Sequence, residues 1–580
     1  MQKSAGKATL DPIVEDISLD IPWALVEKFA TLPRWKAKDV NRGADVITKM
    51  LTDCGVPFDV YQPSIYLSIP YSAEVKAGSK VFKAKPPAYS RDCRDGLTGE
   101  LVYVPAAYSK TIATLFNKNQ DDQLSSAERL RGKIVISEGF AFPGKMLEFE
   151  RKGAIGIIAV NPGVDIHWGI CTSIWGTPDL DDLPRKPNIP MAAVNNADGN
   201  ALIELASKGQ RVTIRTELEE GWFTQKVPVV TIPGQDEREK FVLVHGHYDS
   251  WDVGVGDNAT GDATLLELAR VFHKHRKRLK RGVKIAWWPG HSTGRYAGST
   301  WFADHFAIDL DENCVAQINC DSPGCRWATT FNNLSVMAET EAFVTSTIKS
   351  VAGIDCKPER PPRAGDYAFN NIGISSFFML SSTMPEELRA SKGYYAVGGC
   401  GGNIAWHTEN DTLEIADRTF LLRDMRVYAQ AVLGVANADV LPFDWSAITT
   451  EFAATISRYQ KVAGTAFDLA PAAEAVGELG KTIGKFNRAV KAGRVDPTTA
   501  NAVIQRLARI LIPINYAREA RFRHDPALPV PELPVLSVAE EIKSMPKSMQ
   551  GFARAQLTRG QNRVVAAMRD AIKVVTAAGG

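Results

Sequence analysis

A chain of 580 residues is longer than one hydrophobic core organises, and 45% hydrophobic with 23% charged residues is an ordinary globular balance, so several domains are expected. The 68 basic and 66 acidic residues leave a formal charge of +2, which gives no field to gather nucleic acid or an anionic membrane. A small molecule or short peptide fits that balance better.

The opening stretch, Met1 to Asp20, mixes lysines, acids and isolated apolar residues and lacks the apolar core of a secretory signal. No later run reaches the length of a membrane span. Eight cysteines without a Cys-x-x-Cys pair argue against a disulfide framework and a zinc ribbon, so reduced thiols in the cytoplasm are expected. Cys314, Cys320 and Cys325 read as small buried core residues.

Gly43 to Cys54 repeats apolar residues at helical spacing and stops at Gly55, after which Phe58 to Tyr61 and Ile65 to Ile69 read as strands. The pattern loosens from Ala73 to Arg94, and Pro86-Pro87 marks a passage into another domain. Strands are then expected at Glu100 to Val104, Lys133 to Ser137 and Ile155 to Val160, with a helix over Lys145 to Lys152. Longer apolar runs follow at Phe241 to Val244, Val283 to Trp288, Val315 to Asn319 and Ile374 to Leu380. They alternate with helical stretches near Ala259 to His275, Ala338 to Ala352 and Leu422 to Ala438, the signature of an α/β domain with a largely parallel sheet. Beyond Phe443 helical periodicity dominates, with Pro513, Pro526 and Pro534 as breakers.

Five residues, His247, Asp257, His291, Asp321 and His407, each sit just after a short apolar run, where ligands gather in parallel-sheet enzymes. His247 lies in His-Gly-His-Tyr-Asp-Ser-Trp after a buried strand. Asp257 lies in Gly-Asp-Asn-Ala-Thr-Gly at a helix start, where the helix end favours the anionic form that binds a cation. A lone Asp there is more often a cap. Asp321 ends a strand, and His407 precedes a turn at Asn410-Asp411-Thr412. His245 shares a strand face with His247 but is expected to serve packing rather than a metal.

Taken in order, these motifs resemble the di-zinc aminopeptidase and carboxypeptidase family that includes glutamate carboxypeptidase II and the transferrin receptor ectodomain. The resemblance spans about Gly43 to Ala438. Gly132-Lys133-Ile134-Val135 with Gly153 to Ile158 resembles the protease-associated domain, a module inserted in such exopeptidases; the alternative is an unrelated small α/β insert. The resemblance implies an aminopeptidase-like α/β fold with a mixed, largely parallel sheet flanked by helices. The expected division is residues 1–75 and 226–440 for the metal-binding α/β domain, 95–218 for the insert, and 441–580 for a helical C-terminal domain that supports a homodimer. It further implies that His247 and Asp321 bind one metal, Asp257 bridges, His407 binds a second metal, and Asp249 orients the His247 ring. One or two divalent ions are expected, zinc first, with manganese or iron as alternatives.

The family places two adjacent glutamates, a base and a ligand, where this chain has Gly290-His291-Ser292-Thr293-Gly294-Arg295-Tyr296-Ala297-Gly298-Ser299, one residue longer than the usual pattern. Counted from the strand, His291 replaces the base and Ser292 the ligand. Counted from Gly298-Ser299, His291 replaces the ligand and joins Asp257 and His407 in a two-His, one-carboxylate site. A histidine can itself act as a base near neutral pH. A metal-dependent hydrolase of a peptide or small amide is therefore expected, with His291 and Asp249 as catalytic candidates. Two rivals are a metal-dependent lyase or other non-peptidase enzyme, and a catalytically silent binding protein.

Other candidates read as structural. His273 to Arg278 is a solvated basic helix end. Gly393 to Gly402 is a loop beside the site rather than a nucleotide cradle, and Tyr394, Tyr395 and Trp406 line an aromatic pocket or simply pack. Arg295 and Arg363 are the nearest cations for a substrate carboxylate.

Overall fold

The computed structural model describes residues 10–111, 114–115, 127–378 and 380–579. The first nine residues of the opening stretch, and position 379 in the run Ile374 to Leu380, lie outside the described residues.

Two sheets organise the chain. The first has six strands in the order β1 (Asp59–Tyr61), β9 (Val227–Ile232), β11 (Arg281–Trp288), β10 (Glu237–His247), β12 (Cys314–Asn319) and β13 (Ser376–Phe377). Its β11, β10, β12 and β13 are mutually parallel, and β1 and β9 add an antiparallel edge. Parallel strands buried on both faces need apolar residues throughout, and Val242, Leu243, Val244, Ile285, Ala286, Trp287, Ala316 and Ile318 are all fully buried. Helices Ala37–Asp53, Thr260–Lys274, Glu341–Ala352 and Arg418–Ala436 supply flanking cover.

The second sheet has seven strands in the order β3 (Lys80–Ala84), β2 (Ser64–Ala77), β8 (Arg211–Thr224), β4 (Cys93–Tyr103), β5 (Ile134–Glu138), β6 (Gly156–Val160) and β7 (Met191–Val194). Its first four strands pair antiparallel and its last four parallel. The stretch from Ala73 to Arg94, expected to loosen, instead continues β2 and forms β3, because Val75, Phe82 and Ala84 bury themselves in the insert's core. Strand β2 thus falls on the insert's side, while the expected division kept residues up to 75 with the α/β domain.

Beyond residue 443 the chain is helical, through Trp445–Ala463, Ala470–Lys491, Pro497–Tyr516 and Lys547–Ala577. Pro513 does not break the third of these, contrary to expectation. A proline in a helix interior costs about 3 kcal/mol or more, yet burial of Leu511, Ile512 and Ile514 keeps the last turn helical. The run Ile374 to Leu380 forms only the two-residue β13, since just Gln317 and Ile318 pair with it. Among the described residues no helix is long and apolar enough to cross a membrane, and the eight cysteines are all free.

Candidate metal centre

The carboxyl ends of β10, β11 and β12 meet at one rim, and the chemistry gathers there. His247 is the last residue of β10, His291 follows β11 after Pro289-Gly290, and Asp321 follows β12 after Cys320. Asp257 stands just before helix Thr260–Lys274. His407 comes from a distant loop, with its backbone in the left-handed region at φ 58°. The five side chains belong to residues only 2–9% exposed, so their charges are felt in a poorly solvated environment.

Asp257 lies between two imidazoles: its Oδ1 is 3.1 Å from His247 Nε2 and its Oδ2 is 3.3 Å from His407 Nε2. Asp321 Oδ2 lies 3.6 Å from the same His247 nitrogen. Neither His247 Nε2 nor Asp257 Oδ1 makes a hydrogen bond despite burial. Two such facing, unpartnered polar atoms are costly unless a cation joins them. His247, His291 and Asp321 each offer a donor atom, and these three atoms lie within 4.8 Å of one another. Imidazole and carboxylate donors at that spacing fit a divalent transition metal. The structure thus groups His291 with His247 and Asp321, not with Asp257 and His407 as counting from Gly298-Ser299 suggested.

Burial disfavours a charge on His247, but Asp257 and Asp321 outweigh it and hold the imidazole pKa well above its usual 6.5. For Asp257 burial again opposes ionisation, and His247 and His407 win, holding its carboxyl well below the ordinary range.

The surrounding residues fix the ligands. His291 stacks on His247, with centroids 3.8 Å apart, and its Nδ1 meets Asp366 Oδ2 at 2.8 Å, which leaves Nε2 free. Asp366 Oδ1 accepts a second hydrogen bond, 2.6 Å, from Ser299 Oγ. Burial works against the Asp366 charge, yet the neighbouring His291 holds its pKa below 3.8. Asp411 accepts from the backbone N–H groups of Gly256 and Asp257 at 2.7 and 2.9 Å, which pins the loop that presents Asp257. Burial, with the Asp257 charge adding to it, pushes Asp411 up to about 7.

Asp249 does not do what its spacing suggested. His247 Nδ1 bonds to the Asp249 backbone carbonyl at 2.9 Å, while the carboxylate is 3.9 Å away and turned to the N–H groups of His291 and Ser292, at 3.0 and 3.2 Å. It positions the His291 loop rather than the His247 ring. His245 packs against Trp288 and Phe369 and meets Gln317 at Nε2, away from the cluster.

The insert reaches the centre too. His407 Nδ1 meets the Trp168 carbonyl at 3.0 Å, and Trp168 N–H donates to the His407 carbonyl at 2.9 Å. Trp168 in turn stacks on Trp251 at 5.1 Å, and His167 ties to the Trp406 carbonyl and the Tyr395 hydroxyl. No local signal in the sequence marks these contacts. Above the ligands lies a cleft open to solvent, lined by Phe142, Ile170, Arg295, Tyr296, Leu380 and Trp406 beside the acidic and imidazole groups.

Comparison with known proteins agrees with this architecture. Residues 228–432 match Peptidase family M28, and residues 97–202 match the PA domain. Carboxypeptidase Q of Rattus norvegicus is 26% identical over 190 residues, 31% of this chain and 40% of that protein. A probable glutamate carboxypeptidase, VP8 of Zea mays, is 26% identical over 38% of this chain and 32% of its own length. The chain thus spans less than half the length of these relatives. Among solved structures, an aminopeptidase from Aneurinibacillus sp. strain AM-1 superposes with a TM-score of 0.52 at 18% identity, covering 73% of this chain and 95% of that one. A zinc aminopeptidase from Bacillus subtilis gives 0.50 at 18% identity over 72% and 93%. The family matches thus fall on residues 228–432, for Peptidase family M28, and 97–202, for the PA domain, and the solved aminopeptidases share the α/β fold of this chain.

Proposed function

We propose that the protein is a metal-dependent hydrolase of the exopeptidase type, acting on a peptide or small amide through an altered centre in which His291 stands in place of the glutamate base or ligand. The observation that carries it is the cluster of His247, His291 and Asp321 donor atoms within 4.8 Å, with unpartnered Asp257 Oδ1 facing it. His247, His291 and Asp321 would hold one cation, with Asp257 shared toward His407. The second position has only Asp257 and His407, so one tightly held ion is expected. Zinc is the first choice for these donors, and zinc is what the Bacillus subtilis neighbour is described as using.

When bound, such a cation polarises a carbonyl and lowers the pKa of water toward 7. Asp366 accepts a hydrogen bond from His291 Nδ1–H and so fixes the tautomer whose Nε2 is free at the cleft. Asp249 holds the loop of His291 in place through two backbone N–H groups. The apolar wall of Phe142, Ile170 and Leu380 limits water around the reacting bond.

The test is amino-acid release from a dipeptide library by purified protein, before and after chelation and after return of zinc. Loss on chelation and recovery with zinc support the reading; a protein that binds no divalent metal overturns it. The same His291–Asp366 pair favours a second reading, acid–base work on a non-amide bond. Turnover of such a substrate, abolished by His291→Ala with no amino acid released from peptides, would select it.

A further inference from the structure

Arg295 lines the same cleft as Asp257, His291, Asp321 and His407, and it is 6% exposed. No hydrogen bond or ion pair joins its guanidinium to a described residue; its Nε is buried without a partner, and the Tyr296 ring lies 4.8 Å away. A buried guanidinium is almost always paired. Asp366 is engaged by His291 and Ser299, and Asp249 by two backbone N–H groups, while Asp257 and Asp321 of the cleft face the His247 imidazole.

The charge is not accidental to a loose loop. Arg295 and Tyr296 both have left-handed backbones, φ 45° and 73°, a conformation that non-glycine residues adopt only when their surroundings hold it. Here the hold is plain. Tyr296 N–H donates to the His291 carbonyl, Ala297 N–H to Gly290, and the Arg295 carbonyl accepts from Gly176 N–H at 2.7 Å. The Tyr296 hydroxyl accepts from Gly365 N–H at 2.8 Å. The segment one residue longer than the usual pattern is therefore a fastened turn. Arg363, which lies over Trp175, adds positive charge on that side; its Nε is also unpartnered, but its Nη1 and Nη2 donate to the carbonyls of Tyr367 and Asp525.

We propose that Arg295 is a specificity-determining residue that receives a free carboxylate of the substrate, so that the protein prefers short amides carrying an anionic end over the same amides capped or neutral. A planar fork of N–H donors matches a carboxylate in two parallel hydrogen bonds. This rests on the hydrolase reading for the reaction but not for the binding.

The test has two arms. Calorimetry with glutarate as probe is run on zinc-loaded wild type, Arg295→Met and Arg295→Lys, each first checked for metal content and melting temperature. In parallel, kcat/KM is compared for a dipeptide and its C-terminal amide. Loss of charge-assisted hydrogen bonds should weaken glutarate binding by about 10- to 100-fold in Arg295→Met, with Arg295→Lys between. The preference for the free acid over the amide should collapse toward unity in Arg295→Met. Glutarate binding that is absent in wild type or unchanged in Arg295→Met overturns the proposal, as does inorganic phosphate binding as tightly as glutarate. If no amide is hydrolysed at all, the hydrolase reading fails while calorimetry still decides the role of Arg295.

Discussion

Replacing Asp366 by asparagine separates charge from shape at the point where His291 is held. Asp366 accepts from His291 Nδ1 at 2.8 Å and from Ser299 Oγ at 2.6 Å, and it is fully buried. In Asp366→Asn the amide oxygen can accept the imidazole N–H while the amide NH₂ donates to Ser299 Oγ. The Ser299 hydroxyl then turns to the Tyr296 carbonyl, already 3.2 Å away. No buried group is orphaned, so the metal-free protein should melt close to wild type. What disappears is the charge on the acceptor. Charged hydrogen bonds are roughly twice as strong as neutral ones, a difference of about 1–1.5 kcal/mol. At 1.4 kcal/mol per decade that is about tenfold in zinc affinity, the low end for a partner behind a metal-bound histidine. Competition against a chromogenic chelator measures it. Asp366→Ala should lose more, because both donors are left unpaired at about 1–3 kcal/mol each. Unchanged zinc affinity in Asp366→Asn would refute the view that this carboxylate prepares His291 as a ligand.

Two further outcomes follow from buried charge. The folded pKa of His247 is raised by Asp257 and Asp321, so its stabilisation of the metal-free protein is complete below about 6.5 and is lost as pH rises through the higher folded value. Zinc must displace that proton, so its affinity should climb with pH over the same range with release of about one proton per ion, read by calorimetry in buffers of different ionisation heat; no proton release would contradict this arrangement. Glu339, 1% exposed, is pushed by burial up to about 7. An acid whose folded pKa is raised destabilises progressively as pH rises from its unfolded value, 4.5, to the folded one. Glu339→Gln should therefore raise the melting temperature above pH 7 and leave it nearly unchanged near pH 4.5; an equal effect at both would exclude linkage.

The rim of the parallel sheet was legible in the sequence because each apolar run ends at a polar residue that the strand's carboxyl end must present. His247, His291 and Asp321 owe their meeting to the adjacency of β10, β11 and β12. The residues that fix them were less legible. Asp249 sits two positions after His247, which suggests a ring partner, but the chain turns after β10 and offers its carbonyl instead. Asp366 and Asp411 contact the centre from 75 and 154 positions away, where only the folded topology brings them. Pro513 misled because burial of its neighbours outweighs its local preference.

The reciprocal clasp between Trp168 and His407 joins segments 239 residues apart, one in the insert that matches the PA domain and the other carrying a candidate ligand. Linkage is symmetric: whatever free energy a docked insert adds to metal binding, a bound metal adds to insert docking. Metal occupancy and the seating of the insert would then titrate together, so the two domains would report on one equilibrium rather than on two.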